Sequence, residues 1–167
     1  MILEILKYPD PRLNEVSDPV ESFDGELHQL LDSMAETMYS ADGIGLAAAQ
    51  VACLQRVFVI DIRTQDENHQ CIYEFINPVL SHGEGKIIYE EGCLSVPGIS
   101  EEVQRKEKIT VDYCDRHGKP QKLVAVGLLA VAIQHENDHL DGYLFVDRLS
   151  PLKRKFVKRK LSKVVTL

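Results

Sequence analysis

The residues with the strongest chemical signature occupy positions 135–139, where the sequence is HENDH. Residues four apart share one face of a helix, so His135 and His139 can reach the same metal ion. Glu136 follows the first of these ligands, where its carboxylate can take a proton from metal-bound water. The apolar run before the motif drives this helix into the core, where unliganded imidazoles and a carboxylate would be costly. The spacing therefore predicts a metal centre rather than solvated surface histidines.

A catalytic metal site normally has three protein ligands and one open position, so two histidines leave the site incomplete. The chain after His139 offers little. Phe145 stands where a metzincin would have its third histidine, no glutamate follows Glu136, and Asp141 and Asp147 are weak candidates. We therefore expect the third ligand upstream of the motif.

Cys93 is the preferred third ligand. It lies in residues 90–97 (EEGCLSVP), between a strand-like stretch and a tight turn, and such a shaped loop is not typical of core filler. The other cysteines lie in or beside strand-like segments and are interpreted as small apolar side chains: Cys53, Cys71 and Cys114. No C-x-x-C pair and no regular spacing occur, so a disulfide framework is not predicted.

Residues 43–50 (GIGLAAAQ) form a third candidate site. Their first six positions fit the dinucleotide-binding fingerprint G-x-G-x-x-G/A, and Asp61 ends a predicted strand sixteen residues after Gly45. That fingerprint must follow a strand and open a helix, whereas here a helix comes before it and a strand after it. We instead interpret Gln50 as an amide presented to a ligand, because the small residues before it would let a substrate backbone approach closely.

The elements that must position these residues follow from hydrophobic spacing. Apolar residues recur at helical spacing over 26–39, with Asp24 as N-cap, and residues 42–45 then open a loop. Strands are predicted at 57–60, at 71–76 (stopped by Asn77-Pro78), at 109–114 and at 122–126. A largely apolar helix over 127–141 belongs inside the protein, and a last helix starts at Ser150-Pro151. The pattern predicts an α+β fold, with mainly antiparallel sheets packed around a central metal-binding helix and with a C-terminal helix.

Length and composition are those of one globular domain spanning residues 1–167. The 44% apolar and 27% charged fractions exclude wholesale disorder. The longest apolar run, residues 124–133, is too short to cross a bilayer, so no membrane association is predicted. The first residues lack the features of a secretory signal, which predicts a cytoplasmic protein.

The net charge of −7 conceals an asymmetry. Residues 151–167 hold seven basic and no acidic side chains, whereas residues 1–150 hold twelve basic and twenty-six acidic ones. The acidic body should repel nucleic acid, which excludes specific DNA binding, while the basic C-terminal helix could touch it.

Three of these segments, in their order along the chain, resemble the signature motifs of the bacterial peptide deformylases. They are residues 43–50 (GIGLAAAQ), 91–95 (EGCLS) and 134–139 (QHENDH). The resemblance extends from residues 8–13 to residues 149–154. The sequence departs from the family pattern at Ala49 (usually proline), Ala52 (usually glycine) and Ser100 (often arginine), which bears on the outer substrate contacts.

The resemblance implies one Fe(II) ion, replaceable by Ni(II), Co(II) or Zn(II), held by Cys93, His135 and His139. It also implies removal of the N-formyl group from the initiator methionine of nascent chains. Glu136 would act as the proton carrier, with the Gln50 amide and the Leu94 backbone N–H as oxyanion donors. The substrate-binding residues that it implies are Ile44, Gly45, Glu91, Val131 and Ala132.

In the deformylases a C-terminal helix docks on the ribosome, so the resemblance also implies a ribosomal partner for the basic helix. The other interpretation is an amphipathic helix that packs on the domain and exposes its charged face to solvent. Two other functions remain open at this point. One is a zinc endopeptidase, which shares the H-E-x-x-H chemistry. The other is a non-catalytic domain with a structural zinc ion, whose fourth ligand would come from another histidine: His28, His69, His82 or His117.

Overall fold

The computed structural model describes residues 1–63 and 71–165, with side chains as far as residue 163, so His69 lies outside the described residues. The α-helices are α1 (Gly25–Ser40), α2 (Gly127–Leu140) and α3 (Pro151–Val165). Short 3-10 helices cover Pro11–Asn14, Ala48–Val51 and Phe145–Arg148. The strands are β1 (Gly45–Ala47), β2 (Val57–Ile60), β3 (Tyr73–Glu84), β4 (Ile87–Cys93), β5 (Val96–Arg105), β6 (Lys108–Cys114) and β7 (Pro120–Val126).

The strands form two antiparallel sheets. Five strands make the larger sheet, in the order β1-β2-β3-β6-β7, and β4 pairs with β5 in a separate two-stranded sheet. Helix α2 packs against β1, β2, β6 and β7. This arrangement confirms the predicted α+β class with mainly antiparallel sheets and a C-terminal helix.

Helix α2 lies in the core, as its apolar composition predicts. Ala130, Ile133 and Leu140 pack with Phe58 and Phe75 from the larger sheet. The helix ends just before Gly142, whose φ of 84° lies in the left-handed region. A Cβ at Gly142 would lie 2.6 Å from the Asn14 carbonyl oxygen, so both the backbone conformation and the close approach require glycine.

Strand β3 continues past Asn77-Pro78, where the sequence predicts that it ends. The pairing of β3 with β6 shifts register between Ile76 and Val79, which is the position of a bulge. Asn77 has a φ of 52°, and its side-chain amide makes hydrogen bonds to both backbone polar groups of Val20. The bulge accommodates Pro78, which has no N–H to give to a ladder. The predicted strand end at Asn77-Pro78 is therefore wrong.

The segment around Gly45 is also more ordered than the predicted loop. Gly45–Ala47 form a short strand at the edge of the larger sheet, antiparallel to β2. Helix α1 precedes this strand, and only a 3-10 turn follows it. The fingerprint therefore lacks the strand–helix context of a dinucleotide site. Asp61 is engaged elsewhere, because it accepts a hydrogen bond from the Tyr39 hydroxyl.

The two-stranded sheet packs through a hydrophobic cluster of its own. Val96 and Val103 of β5 contact Phe145 and Val146, which follow α2, and Val157 of α3. Helix α3 thus docks on the domain through Val157 and Leu161, whereas Leu152 and Phe156 are exposed. Within the described residues, no helix is both long enough and apolar enough to cross a membrane.

Candidate metal centre

The structure brings Cys93, His135 and His139 together. Their ligand atoms all lie within 4.8 Å of one another, and the Cys93 Sγ lies 3.4 Å from the His139 Nε2. Helix α2 supplies both histidines, which are buried, and Cys93 ends β4. Pairing of β4 with β5 is irregular between Gly92 and Cys93, and such irregularities redirect a side chain. One thiol and two imidazoles form a donor set that suits a first-row divalent metal ion.

The pKa values of the two histidines shift in opposite directions. For His135, burial lowers the pKa, but hydrogen bonds to Cys93 and Glu91 outweigh burial and raise it well above its ordinary value. For His139, burial and the charges of His135 and Arg105 lower the pKa well below its ordinary value. Burial of His139 thus favours the neutral imidazole, which is the form of histidine that binds a metal ion. Its buried Nδ1 has no partner among the described residues.

Glu91 has a position that its predicted place among the substrate-binding residues did not anticipate. Its Oε1 lies 2.8 Å from the His135 Nδ1, and Arg105 donates to both of its carboxylate oxygens at 2.8 Å. Burial raises the pKa of Glu91, but hydrogen bonds from Arg105 and His135 outweigh it and lower the pKa below its ordinary value. Glu91 lines the cleft, but its carboxylate oxygens are bonded to the His135 Nδ1 and to Arg105. A bond of this kind orients a metal-binding imidazole and leaves Nε2 for the ion.

Two further charged residues, Asp138 and Arg148, extend this contact, and neither is among the site residues predicted from the sequence. Asp138 accepts from Arg105 at 2.7 Å and from Arg148 at 2.7 and 3.1 Å. We call Glu91, Arg105, Asp138 and Arg148 the ion chain. A signal was present for Asp138, because a carboxylate on the buried face of an apolar helix needs a cationic partner. No local pattern indicates which arginine that partner is.

Glu136 lies beside the ligand group, as its place in the motif predicts. Its Oε1 lies 3.9 Å from the His135 Nε2, and its buried Oε2 has no partner among the described residues. Burial raises the pKa of Glu136 to about 7, against the opposing charge of His135. A Cβ at Gly45 would lie 2.7 Å from Oε1, so glycine at position 45 leaves the space that this carboxylate occupies.

Gln50 and Leu94 approach the same group from two other segments. Gln50 is buried; its Oε1 accepts from the Ala47 backbone N–H at 2.9 Å, and its Nε2 donates to the Ser95 hydroxyl at 3.1 Å. That Nε2 also lies 3.5 Å from the Cys93 Sγ, so the amide donor faces the ligand group. Leu94 follows Cys93 in the turn after β4.

A cleft of about 740 Å³ opens over these residues. The five predicted substrate residues all line it: Ile44, Gly45, Glu91, Val131 and Ala132. Leu128, which was not predicted, lines it as well. Ser100, one of the three departures, lies on the cleft wall and donates to the Glu90 carboxylate at 3.0 Å. Ala52, another departure, has a φ of 63°, a conformation that favours the glycine usual in the resembled family.

The other histidines in the described part of the chain do not complete a four-ligand site. Across residues 1–63 and 71–165, one group of three or more potential ligand atoms is close enough to share an ion, and it contains only Cys93, His135 and His139. His28 and His117 instead contact each other edge to face, with ring centroids 5.2 Å apart. Three ligands are what a catalytic site requires.

Comparison with known proteins gives the same family that the motifs resemble. The family model described as polypeptide deformylase matches residues 2–155. The peptide deformylase of Alkalilimnicola ehrlichii is 52% identical over 164 residues, which cover 98% of this chain and 91% of that protein. That of Chromobacterium violaceum is 52% identical over 162 residues, covering 97% of this chain and 95% of that protein.

Solved structures agree with the sequence comparisons. The crystal structure of a peptide deformylase from Legionella pneumophila superimposes with a TM-score of 0.91 at 46% identity, covering 99% of this chain and 96% of that chain. The Ehrlichia chaffeensis peptide deformylase, solved in complex with actinonin, gives a TM-score of 0.90 at 38% identity, with coverages of 97% and 96%. The resemblance in the motifs is thus confirmed along nearly the whole length, and this chain belongs to the polypeptide deformylase family.

Proposed function

We propose that this chain is a metal-dependent hydrolase that removes the N-formyl group from the N-terminal formylmethionine of newly synthesised proteins and releases formate. One catalytic domain over residues 1–167 would carry the activity. The observation that supports it most strongly is the meeting of Cys93, His135 and His139 beside Glu136, in a group of which Cys93, His135 and Glu136 line the cleft.

The test is an assay that separates this activity from that of a zinc endopeptidase. A short formyl-Met peptide should release formate stoichiometrically, while an unformylated peptide of the same sequence should stay intact. Internal cleavage of either peptide without formate release would contradict the proposal.

We propose that Cys93, His135 and His139 hold one Fe(II) ion, which Ni(II), Co(II) or Zn(II) can replace. A bound divalent ion supplies Lewis-acid chemistry, polarising a carbonyl group and making a coordinated water molecule more acidic. The donor set supports this assignment, because thiolate and imidazole both bind first-row metals. The Gln50 Nε2 lies 3.5 Å from the Cys93 sulfur, which puts the proposed oxyanion donor beside the ligand group.

Glu136 would carry the proton of the reaction. Its carboxylate takes the proton of the attacking water molecule and later gives it to the leaving amine of methionine. The burial of its side chain and the space left by Gly45 support this role, because both hold the carboxylate beside the ligand group. The Gln50 side-chain amide and the Leu94 backbone N–H would stabilise the oxyanion that develops on the formyl oxygen.

The substrate would lie as an extra strand along β1. The Ile44 carbonyl accepts from the Asp61 N–H on the β2 side, and successive residues of a strand direct their polar groups to opposite sides. The N–H and C=O of Gly45 therefore point away from β2, toward the cleft, where they can pair with a peptide backbone. Ile44, Val131 and Ala132 would form the apolar pocket for the methionine side chain.

Gln50→Ala tests the oxyanion role. Loss of one such donor lowers kcat by roughly 10²–10³-fold in a well-studied hydrolase, and we expect a similar fall with metal content unchanged. The measurements are steady-state kinetics on a formyl-Met peptide and elemental analysis of the same sample. Gln104→Ala, an exposed position on β5, is the matched control. An unchanged kcat with a raised KM would show instead that Gln50 binds the substrate and transition state equally.

We further propose that the protein acts in the cytoplasm, without membrane or specific DNA contacts, and that α3 docks on the ribosome. The four unpaired cysteines suit a reducing compartment. Val157 and Leu161 face the domain, which leaves a row of cationic side chains outward. Exposed members of this row are Lys153, Lys155, Lys158, Arg159 and Lys160. Because the rest of the protein is acidic, the cationic helix would be the part that ribosomal RNA attracts.

Reversal of Lys155, Lys158 and Arg159 to Glu should abolish co-sedimentation with ribosomes at low salt. Formate release from a short peptide should not change, because these side chains lie outside the cleft. In the unmodified protein, binding should weaken linearly on a log–log plot against salt. The matched control reverses three exposed lysines elsewhere, Lys86, Lys108 and Lys119. Co-sedimentation that survives the α3 reversal, or that ignores salt, would rule out this docking mode.

A further inference from the structure

We propose that Asp138 and Arg148 are positioning residues that set the metal affinity of the site, although neither is a metal ligand. They would act through the ion chain, by holding Arg105 in the orientation that fixes Glu91 against His135. The inference deepens the proposed function, since it rests on a metal ion bound by Cys93, His135 and His139.

The need for such a device follows from where the ligands come from. Cys93 lies in the two-stranded sheet of β4 and β5, whereas both histidines lie on α2. No backbone ladder joins β4 and β5 to the larger sheet in the described part of the chain. Short connections join the hairpin to β3 and β6, and the Gly127 N–H at the start of α2 bonds to the Glu107 carbonyl. Closer to Cys93, side-chain contacts between the two pieces help to set the distance between the sulfur and the imidazoles.

The ion chain makes that connection with directional bonds. Glu91 lies on β4 and Arg105 on β5, and Asp138 lies on α2 one residue before His139. The Arg105 guanidinium forks onto Glu91 through Nε and Nη2 at 2.8 Å each, while its Nη1 donates to Asp138 at 2.7 Å. Arg105 is buried at 7% exposure, so these charge-assisted bonds are shielded from water. One side chain thus ties the cysteine-bearing hairpin to the histidine-bearing helix.

Arg148 completes the charge balance of this buried group. It donates to both oxygens of Asp138, and the Tyr143 ring lies against its guanidinium, 4.9 Å from ring centroid to Cζ. With Arg148, the ion chain contains two carboxylates and two guanidinium groups. Without Arg148, the one cationic partner that Asp138 keeps in the ion chain would be Arg105. The Arg105 guanidinium would be drawn toward Asp138 and away from its fork with Glu91.

If Arg148 only stabilised the fold, its loss would lower metal affinity no more than the loss of a comparable arginine elsewhere in the protein. The Arg148 side chain is 44% exposed, and exposed ion pairs contribute little to stability. Arg116 offers a matched control: its side chain is 29% exposed, it forks onto Glu74 and it also bonds to Asp32, but it lies in the turn after β6, outside the ion chain. Loss of either arginine should change the stability of the metal-free protein to a similar, small extent.

The experiment measures Co(II) affinity by chelator competition for the wild type, Arg148→Gln and Arg116→Gln, together with the visible absorption bands of the Co(II) proteins. Loss of a residue that orients a ligand costs roughly 10–100-fold in metal affinity. We expect about a tenfold loss and altered Co(II) bands for Arg148→Gln, and neither change for Arg116→Gln. Should Arg148→Gln not fold, Arg148→Lys is used instead, with a several-fold loss expected because lysine cannot fork.

A double-mutant cycle with Glu91→Gln tests the route of the effect. Arg148 does not touch Glu91, so independent effects on Co(II) affinity would add, whereas an effect carried through Arg105 would make the double variant lose less than the product of the single losses. Unchanged Co(II) affinity in the Arg148 variant, or additive losses in the cycle, would overturn the inference. Failure of the proposed function would look different: without the metal site the wild-type protein itself would bind no Co(II), and with a different activity it would bind Co(II) but release no formate from a formyl-Met peptide.

Discussion

Cys93→Ala should lose bound metal and formate release together. The thiolate is one of three donor atoms, and two imidazoles without it leave a divalent ion with an incomplete ligand set. Metal content, measured by elemental analysis after anaerobic purification, should fall from about one ion per chain to a trace, and turnover should fall to background. No other single change considered for this chain should have a larger effect.

The control for this prediction is Cys53→Ala. Cys53 is also a partly buried thiol, but it belongs to the cluster around α1 and lies outside the ligand group. That variant should keep both metal and turnover, so a loss specific to Cys93 cannot come from removing a thiol in general. Full metal content with normal turnover in Cys93→Ala would show that Cys93 is only a buried apolar side chain and not a ligand.

Glu136→Gln should abolish most turnover while leaving the metal in place. Glutamine has nearly the same shape but cannot accept and return a proton, and general acid–base catalysis typically contributes about 10²–10⁴-fold. The fall in kcat should therefore be at least about 10²-fold. Elemental analysis and steady-state kinetics on the same preparation separate the two effects.

The matched control for Glu136 is Glu102→Gln, which neutralises an exposed carboxylate on β5 and should keep normal kcat. The role assigned to Glu136 would be wrong if its glutamine variant emptied the metal site while the remaining loaded protein kept its turnover. It would be equally wrong if kcat were unchanged.

Local sequence was enough to identify the helix that carries His135 and His139, and to identify the N-cap of α1 and the glycine that follows α2. The four-residue spacing of His135 and His139 places both on one helix face whatever surrounds the helix. Asp24 caps α1 by accepting from the Leu27 N–H, and Gly142 follows the end of α2, because both signals act within one helical turn. Cys93 was identified as the preferred third ligand from its loop, and the sheet geometry brings it to the histidines.

The pairing of strands within the sheets could not be predicted from the sequence. Strand β1 has three residues and exists because β2 provides its backbone partners, so its glycine-rich segment was interpreted as a loop. The bulge in β3 similarly depends on β6 and on the contact between Asn77 and Val20, which are distant along the chain. Pairing of this kind is set by tertiary packing rather than by intrinsic propensity.

The residue types, their helical spacing and three ordered motifs were sufficient to predict the family and the candidate ligands. How those residues are held depends on contacts between segments that are distant along the chain. Glu91 was predicted to bind substrate, yet its carboxylate lies between His135 and Arg105. The reason is physical, because a buried charge is stable only beside a partner, and here the partners come from separate strands and a helix whose meeting no local pattern records.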